Sequence, residues 1–568
     1  MVVAFNAKTK FSSRIVRPFG TTKIAEKAAC GMALAKVSSD RARYRMAASV
    51  RNSDRGTKML INRRKVLGYG AGALGAATLG MPNLVRAQSS DLTIAYNVNL
   101  PSWDPTAGPS AVNPTIQGIY QSVFDQIILQ KPDLSLDKGL ITQWGWSDDR
   151  KKVMMTIREG VTWHDGSPFT AEDLAWSLDR AGKDETGNPI QSVWKNVTNF
   201  KTDGNKVTGD VVQFDPVYFK WMSFLTGYVL PKAYYEKVGP EGFEAKPIGT
   251  GPYMVDKFER NAFLRLKANP NYWGGKPAFQ DVTIRFVTDT ASRVAEIESG
   301  SSQVTLEVPY EEYDRLMAAG NLAGSCKNIS DIGMVFFNDI EVMLDANVRK
   351  AAVMAIDKKL LVDRLLRGYG RPLDTLQTPE YLAFDPSIKV EHNPEKAKEL
   401  LAASGYSTDK PAKFVIQTTK GFKPKDYEMI QAIVGMWRKV GIEATIEVYE
   451  VAKHFELRVA DKLAPAAFYN WGNSIGDPST STGFAMFGPG PGSVWDSQDL
   501  VAAIAPLWTE ADEAKRIAGY KAVDKMIAEN AYVLPLVQYA QPILHSKKVN
   551  VVPHVSGALL PALMTPAA

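Results

Sequence analysis

The stretch from Ala412 to Val448 constrains the fold more than any other part of the chain. AKFVIQTT reads as a strand. EMIQAIVGMWRKV follows as a helix that gathers Ile430, Ile433, Val434, Trp437 and Val440 on one face. Gly441 stands where a helix ends in a left-handed residue, and Ile442, Ala444, Ile446 and Val448 then alternate as a second strand. A strand, a helix and a strand of these lengths imply a parallel pair joined by a right-handed crossover. Parallel pairs occur in sheets covered by helices, so the expected class is α/β with open sheets.

The rest of the chain carries compatible signals. Leu92–Tyr96 and Lys152–Ile157 read as strands, the latter followed by a turn at His164–Pro168. Thr170 then opens a helix by capping the NH of Asp173, with Glu172 and Asp173 at the positive dipole end and Leu174 and Leu178 as its core pair. A helix over 394–404 has Asn393 as its cap, Pro394 in its first turn and Gly405 as its stop, and a longer one covers roughly 511–529. No internal repeat or low-complexity linker is visible, which predicts compact, discontinuous domains. A length of 568 residues suffices for two or three cores.

The formal charge of +6 misleads, because the basic excess sits at one end. Residues 1–87 hold 17 of the 67 Lys+Arg but only three of the 61 acids (Glu26, Asp40 and Asp54), so 88–568 carries 50 basic and 58 acidic residues. That balance excludes a nucleic-acid footprint on the remainder. From Met59 the chain reads MLINRRKVLGYGAGALGAATLGMPNLVRAQ: three charges at Arg63, Arg64 and Lys65, a weakly apolar Gly/Ala segment, and the A-x-A-like Val85-Arg86-Ala87. This pattern predicts an export signal of twin-arginine type over 59–87, cleaved near Ala87, and not a membrane span. Residues 1–58 then read as an extension upstream of the true start. Gly70-Ala-Gly72-Ala-Leu-Gly75 spells a dinucleotide fingerprint but lacks the strand before it and the acid after it. Cys30 and Cys326 fall on opposite sides of Ala87, so the exported chain keeps one thiol and no internal disulfide. The five histidines are scattered and no Cys/His set has metal-ligand spacing.

One catalytic spelling remains. Gly472-Asn473-Ser474-Ile475-Gly476 is a literal G-x-S-x-G. A nucleophile elbow needs a helix to start just after its serine. Gly476-Asp477-Pro478 opposes that, since proline biases the residue before it away from helical geometry. Ser474 is therefore expected not to be a nucleophile, and a serine hydrolase stands only as the alternative from another class.

Several segments together carry a resemblance. They are GLITQWGWSDD at 139–149, TIREGVTWHDGSPFTAEDLAWSLDR at 156–180, Pro247–Tyr253, NPNYWGGKP at 269–277, Phe337-Asn338 followed by DANVRKAAVMAIDKKLLV, NPEKAKELLAASGY, and Trp471…Asp477-Pro478. In this order the chain from 88 to 568 resembles the family 5 extracytoplasmic solute-binding proteins, the dipeptide- and oligopeptide-binding group that serves ABC importers. The resemblance implies an α/β, two-lobed periplasmic-binding-protein fold of type II in its large family-5 variant, with a subdomain inserted in lobe I. Mapped onto this chain, lobe I is expected at 88–131, 247–335 and 541–568, the insertion at 132–246, and lobe II at 336–540, with crossings near Phe336–Asn338 and Val537–Ala540. It further implies a periplasmic monomer with no cofactor and no catalytic residue. Such a carrier takes up a peptide or peptide-like ligand and docks on an ABC permease coupled to an ATPase; an oligosaccharide, an opine or a metal chelate is the alternative cargo.

The same resemblance nominates site residues. A W-x-x-x-x-G-D-P loop lines the cleft from lobe II, and dipeptide-binding members place an aspartate three residues after the tryptophan, against the peptide's ammonium. Ser474 stands at that position here. Loss of one partner of such a buried charge pair costs about 2–5 kcal/mol, so either another acid, Asp477 or Glu307, takes the ammonium or the ligand has no amine there. Trp471 is expected as a ligand platform with Asn470 and Asn473 beside it, while Asp477 also reads as the cap of its own turn. Asn338 is expected either to bond ligand or to pin the crossover, Glu307 and Tyr310 to line lobe I, and Tyr120 and Trp103 to close the cleft floor. His164 and Asp165 read as a structural turn.

Overall fold

The computed structural model describes residues 91–108, 114–188, 190–488 and 495–567. The expected upstream extension, the expected twin-arginine signal and its cleavage point, the Gly70–Gly75 spelling and Cys30 all lie outside them. Among the described residues no helix is long and apolar enough to cross a membrane.

The Ala412–Val448 unit folds as its pattern dictates. Strands Ala412–Thr418 and Ile442–Val448 pair in parallel, and helix Asp426–Arg438 connects them. Ile430, Ile433, Trp437 and Val440 are buried under that helix, and Gly441 adopts the positive φ that ends it. This pair forms one end of an eleven-stranded sheet. Its order continues through Ala466–Gly472, Leu322–Phe337, Val533–Ser546, Val304–Leu306, Asp91–Tyr96, Asp281–Phe286 and Phe263–Ala268 to Tyr253–Glu259.

Two strands hold the wings of this sheet together. Leu322–Phe337, 16 residues, runs antiparallel to Val533–Ser546, 14 residues. Their ladder breaks between Asn328 and Ile332 and shifts again between Gly333 and Met334. Beyond the break the first strand also pairs with Ala466–Gly472. One hydrophobic core includes Ile332, Phe336, Trp437 and Leu534, and another includes Leu92, Ile284, Leu306 and Ile543. The two-lobed α/β fold follows: an apolar layer builds on each wing, and the two long paired strands run between them.

A four-stranded antiparallel sheet, in the order Ile141–Trp146, Lys152–Ile157, Lys206–Val211 and Val197–Asp203, makes the inserted subdomain. Helix Ala171–Ala181 covers it with Leu174 and Leu178. Thr170 and Asp173 close a reciprocal capping box, and Asp173 Oδ1 also accepts from the amide of Lys232 (2.9 Å). Thr170→Ala is expected to lower the unfolding free energy by about 1 kcal/mol, measured by urea denaturation, because one amide of the first turn loses its acceptor. His164 supports the same region, with Nδ1 accepting from the Gly249 amide (3.1 Å) and Nε2 at 3.1 Å from Gly251 O. Cys326 is partly buried, and burial pushes its thiol up to about 12, so it does not ionise as a nucleophile would.

Candidate binding cleft at the crossover strands

Strand Ala466–Gly472 delivers a tight loop, 473–478, to the junction of the lobes. Asn473 fixes its start: its amide donates to Ser330 O (3.0 Å) and its side chain to Asp477 O (2.8 Å). Asp477 fixes its end. It is fully buried, with Arg516 donating to both oxygens at 2.7 Å and Lys220, from the inserted segment, reaching Oδ2 at 3.0 Å. Burial pushes the Asp477 carboxyl up, but Arg516 and Lys220 more than reverse this and hold it well below the usual carboxylate range. Asp477 also accepts from the Ser479 amide (3.1 Å), capping its own turn.

Ser474 is buried, and its carbonyl accepts from Gln130 Nε2 (2.7 Å). No helix begins at it; a π turn over Ser479–Gly483 comes later. His545 Nδ1 lies 3.0 Å from Ser546 O, and His554 Nδ1 lies 2.7 Å from Ser556 Oγ, so neither imidazole is set against Ser474 as a base would be. Ile475 meanwhile packs into the core of the inserted subdomain. The loop is a wedge between the lobes.

Beside the wedge, charged groups from both lobes converge on the crossover strands. Lys423, at the end of the parallel unit, is ion-paired with Asp331, and Asn470 Nδ2 donates to the same carboxylate (3.0 Å). Burial pulls the Lys423 ammonium down, but Asp331 and, farther off, Glu307 overcome it, so the group stays charged. From lobe I, Glu307 accepts from Asn97 and lies 3.5 Å from Gln541 Nε2. Its carboxylate is exposed. Asn97 Oδ1, Asn470 Oδ1 and the Tyr539 hydroxyl are buried without hydrogen-bond partners. Trp471 is partly buried, its Nε1 donating to Thr480 O (2.6 Å), with the Arg458 guanidinium 5.1 Å from its ring. A cavity of about 490 Å³ opens along the crossover strands, lined by Lys327, Asn328, Arg371, Glu380 and His554 among others. Burial pulls the His554 imidazole down to about 4, so it enters this lining neutral.

The nominated residues divide accordingly. Asn470, Trp471 and Glu307 reach the convergence, while Asn473 and Ser474 shape the wedge. Asp477 is consumed by Arg516 and Lys220 and cannot also take a ligand amine. Trp103 and Tyr120 are fully buried in the lobe I core, Trp103 edge-on to Phe258 and Tyr120 donating to Ser102 O (2.9 Å), so they do not close a cleft floor. Tyr310 is buried, stacks on Tyr369 and donates to Ala540 O (2.8 Å), pinning the second crossover strand instead of lining the lobe. Asn338 donates to Leu463 O (2.8 Å) at a buried strand end, which is the pinning role and not ligand contact. Sequence reasoning missed Asp331, Lys423, Asn97, Gln541 and Tyr539. The one available signal was the polar Asp331 at the head of an apolar strand.

Comparison with known proteins bears on the family and the fold. The sequence model of the bacterial extracellular solute-binding proteins, family 5 (middle region) matches residues 136–492. The dipeptide-binding protein of Escherichia coli K12 is 25% identical over 436 residues, 70% of this chain and 79% of that protein. The heme-binding protein A of Haemophilus influenzae is 24% identical over 386 residues, 63% of this chain and 70% of that one. Among solved structures, the dipeptide-binding protein from Pseudoalteromonas sp. SM9913 in complex with Met-Leu superposes with a TM-score of 0.72 at 20% identity, covering 84% of this chain and 100% of that chain.

Proposed function

Because the chain belongs to the bacterial extracellular solute-binding proteins, family 5, we propose that it carries a small peptide or peptide-like compound, captured between its lobes in the periplasm and handed to an ABC import permease. The observation that carries this reading is the convergence of Glu307 and Asn97 from one lobe with Asp331, Lys423 and Asn470 from the other, beside the two long paired strands that run between the lobes. The relative named for dipeptides and the structure holding Met-Leu support a peptide cargo. The relative named for heme is the reason to screen other solutes too.

A non-catalytic mechanism fits these parts. A ligand that touches both lobes stabilises the closed arrangement, and it does so only by its differential affinity for that arrangement. Moving a 1:99 balance to 99:1 takes about 5.5 kcal/mol, whereas a micromolar ligand has about 8 kcal/mol in total. Closure by binding is therefore affordable. We place the crossing between lobes at 329–332, where the ladder breaks, and at Gln538–Gln541 opposite, with the insertion at 132–246. Export as a periplasmic monomer, cleaved near Ala87, completes the reading.

The test is mass spectrometry of whatever co-purifies from the native host, followed by small-angle scattering with and without that compound. The radius of gyration is expected to fall on binding. Ser474→Ala is expected to leave binding intact and to remove no turnover; a released product lost in that variant would favour the hydrolase.

A further inference from the structure

The loop after Trp471 offers the cleft no negative charge. Ser474 carries none, and Asp477 spends both oxygens on Arg516. The charge comes from elsewhere: Asp331 and Lys423 pair with each other on lobe II, and Glu307 stands on lobe I. Within this trio the carboxylates outnumber the ammonium, and the Arg293 guanidinium that faces Glu307 from behind its turn is itself engaged by the carbonyls of Val287, Thr288 and Glu307. Hydrogen-bonding capacity is skewed the same way. Asn97 and Asn470 each donate one N–H, to Glu307 and Asp331, while both of their carbonyl oxygens are buried without a donor. Tyr539, 2% exposed and close to Asp331, holds a hydroxyl with no partner. Unfilled carbonyl acceptors beside the exposed Glu307 carboxylate are complementary to a cation that brings several N–H groups.

Glu307 is also held in place. Its backbone sits at φ +52°, its amide donates to Pro542 O (2.9 Å), and its carbonyl accepts from Arg293 (3.0 Å). A non-glycine residue stays in that region only when its surroundings over-determine it. The effect here is to point an exposed carboxylate from a rigid turn.

We propose that Glu307, with Asn97 beside it and Asp331 and Asn470 on the lobe II side, receives a cationic group of the ligand, a primary ammonium or a guanidinium. The amine anchor of this carrier then lies on lobe I and not on the loop of lobe II. This rests on the carrier reading above and specifies the ligand chemistry of its cleft.

The experiment offers ligand-stripped protein a tryptic digest of casein and, separately, the same digest after complete acetylation. Retained compounds are identified by mass spectrometry after gel filtration. The free digest is expected to yield retained peptides, and the acetylated digest only arginine-containing ones or none. For the best-retained peptide, calorimetry is expected to show Glu307→Gln weakening affinity by about thirtyfold or more. Equal retention of arginine-free acetylated peptides, or wild-type affinity in the Glu307→Gln variant, overturns the proposal. The acetylation arm needs no variant and so holds even if that variant folds poorly. Binding and closure around neutral saccharides alone would remove the cation anchor and leave the carrier standing. Failure of every solute to alter the scattering would remove the carrier itself.

Discussion

Arg516→Met is expected to lower the unfolding free energy by about 3–5 kcal/mol, because it leaves the Asp477 carboxylate buried without its main partner. The wild-type pair is bidentate at 2.7 Å on both arms, with the two side chains 2% and 0% exposed. Methionine fills most of the volume, so the loss is electrostatic and not a cavity effect. Lys220 cannot substitute, since it bonds only Oδ2, at 3.0 Å, from a partly exposed position across the lobe boundary. The pH dependence separates this cause from poor packing. Asp477 has a folded pKa below its unfolded value, so its contribution is present above the unfolded pKa of about 3.9 and is lost as pH falls toward the folded one. The gap between wild type and variant in urea denaturation should therefore be widest near neutrality and narrow below about pH 4. Lys220→Met is the companion: it should cost stability little, yet weaken ligand affinity, because its ion pair ties the inserted subdomain to the wedge. A neutral-pH loss that persists unchanged at low pH would refute the electrostatic account.

The sequence exposes local structure here far better than it exposes the cleft. Trp437, Val440 and Gly441 declare the parallel unit because helix periodicity and a left-handed stop are written within one turn of each other. Thr170 and Asp173 declare their capping box for the same reason. The cleft is assembled from residues without local correlation. Asn97 meets Glu307 across 210 positions, Lys423 meets Asp331 across 92, and Lys220 meets Asp477 across 257. No pattern within a window announces such pairs. Trp103 and Tyr120 show the converse difficulty. An aromatic residue after a first strand suits a cleft floor as well as a core, and only the packing of helix Gln117–Val123 against the neighbouring strands decides for the core. Asp477 was legible as a turn cap, but its larger role depends on Arg516, one of several cations on a helix 39 positions downstream.

The largest effect of opposite sign is expected at Asp524, where Asp524→Asn should stabilise the protein at pH 8. Helix Glu513–Asn530 carries this carboxyl into lobe II, where it is 2% exposed. Its Oδ1 accepts from Thr482 Oγ1 (2.6 Å), and its Oδ2 makes no hydrogen bond. Burial raises its pKa to about 7, Thr482 and Gln377 offsetting only part of the effect. An unfolded aspartate gives up its proton near pH 3.9. Between those values the folded state holds a proton that the unfolded state has lost, so the stabilising contribution is complete below about pH 4 and disappears as pH rises through 7. Asp125 and Asp215, each raised to about 6 by burial, act in the same direction. His164 and His554, each pulled down to about 4 by burial, act in the opposite one, because the unfolded chain holds more protons as pH falls from 6.5. Between about pH 4 and 7 these contributions oppose each other, and because the other groups are common to both proteins the difference between variant and wild type isolates Asp524. Asparagine keeps the acceptor for Thr482 and never ionises. The variant should exceed wild type by about 1–3 kcal/mol at pH 8, a fraction of the 1.36 kcal/mol per unit that the full shift would give, with the gap shrinking toward pH 5 and closing below about pH 4. Urea denaturation at pH 5, 6.5 and 8 measures this, and parallel profiles for the two proteins would show that Asp524 is not the group responsible.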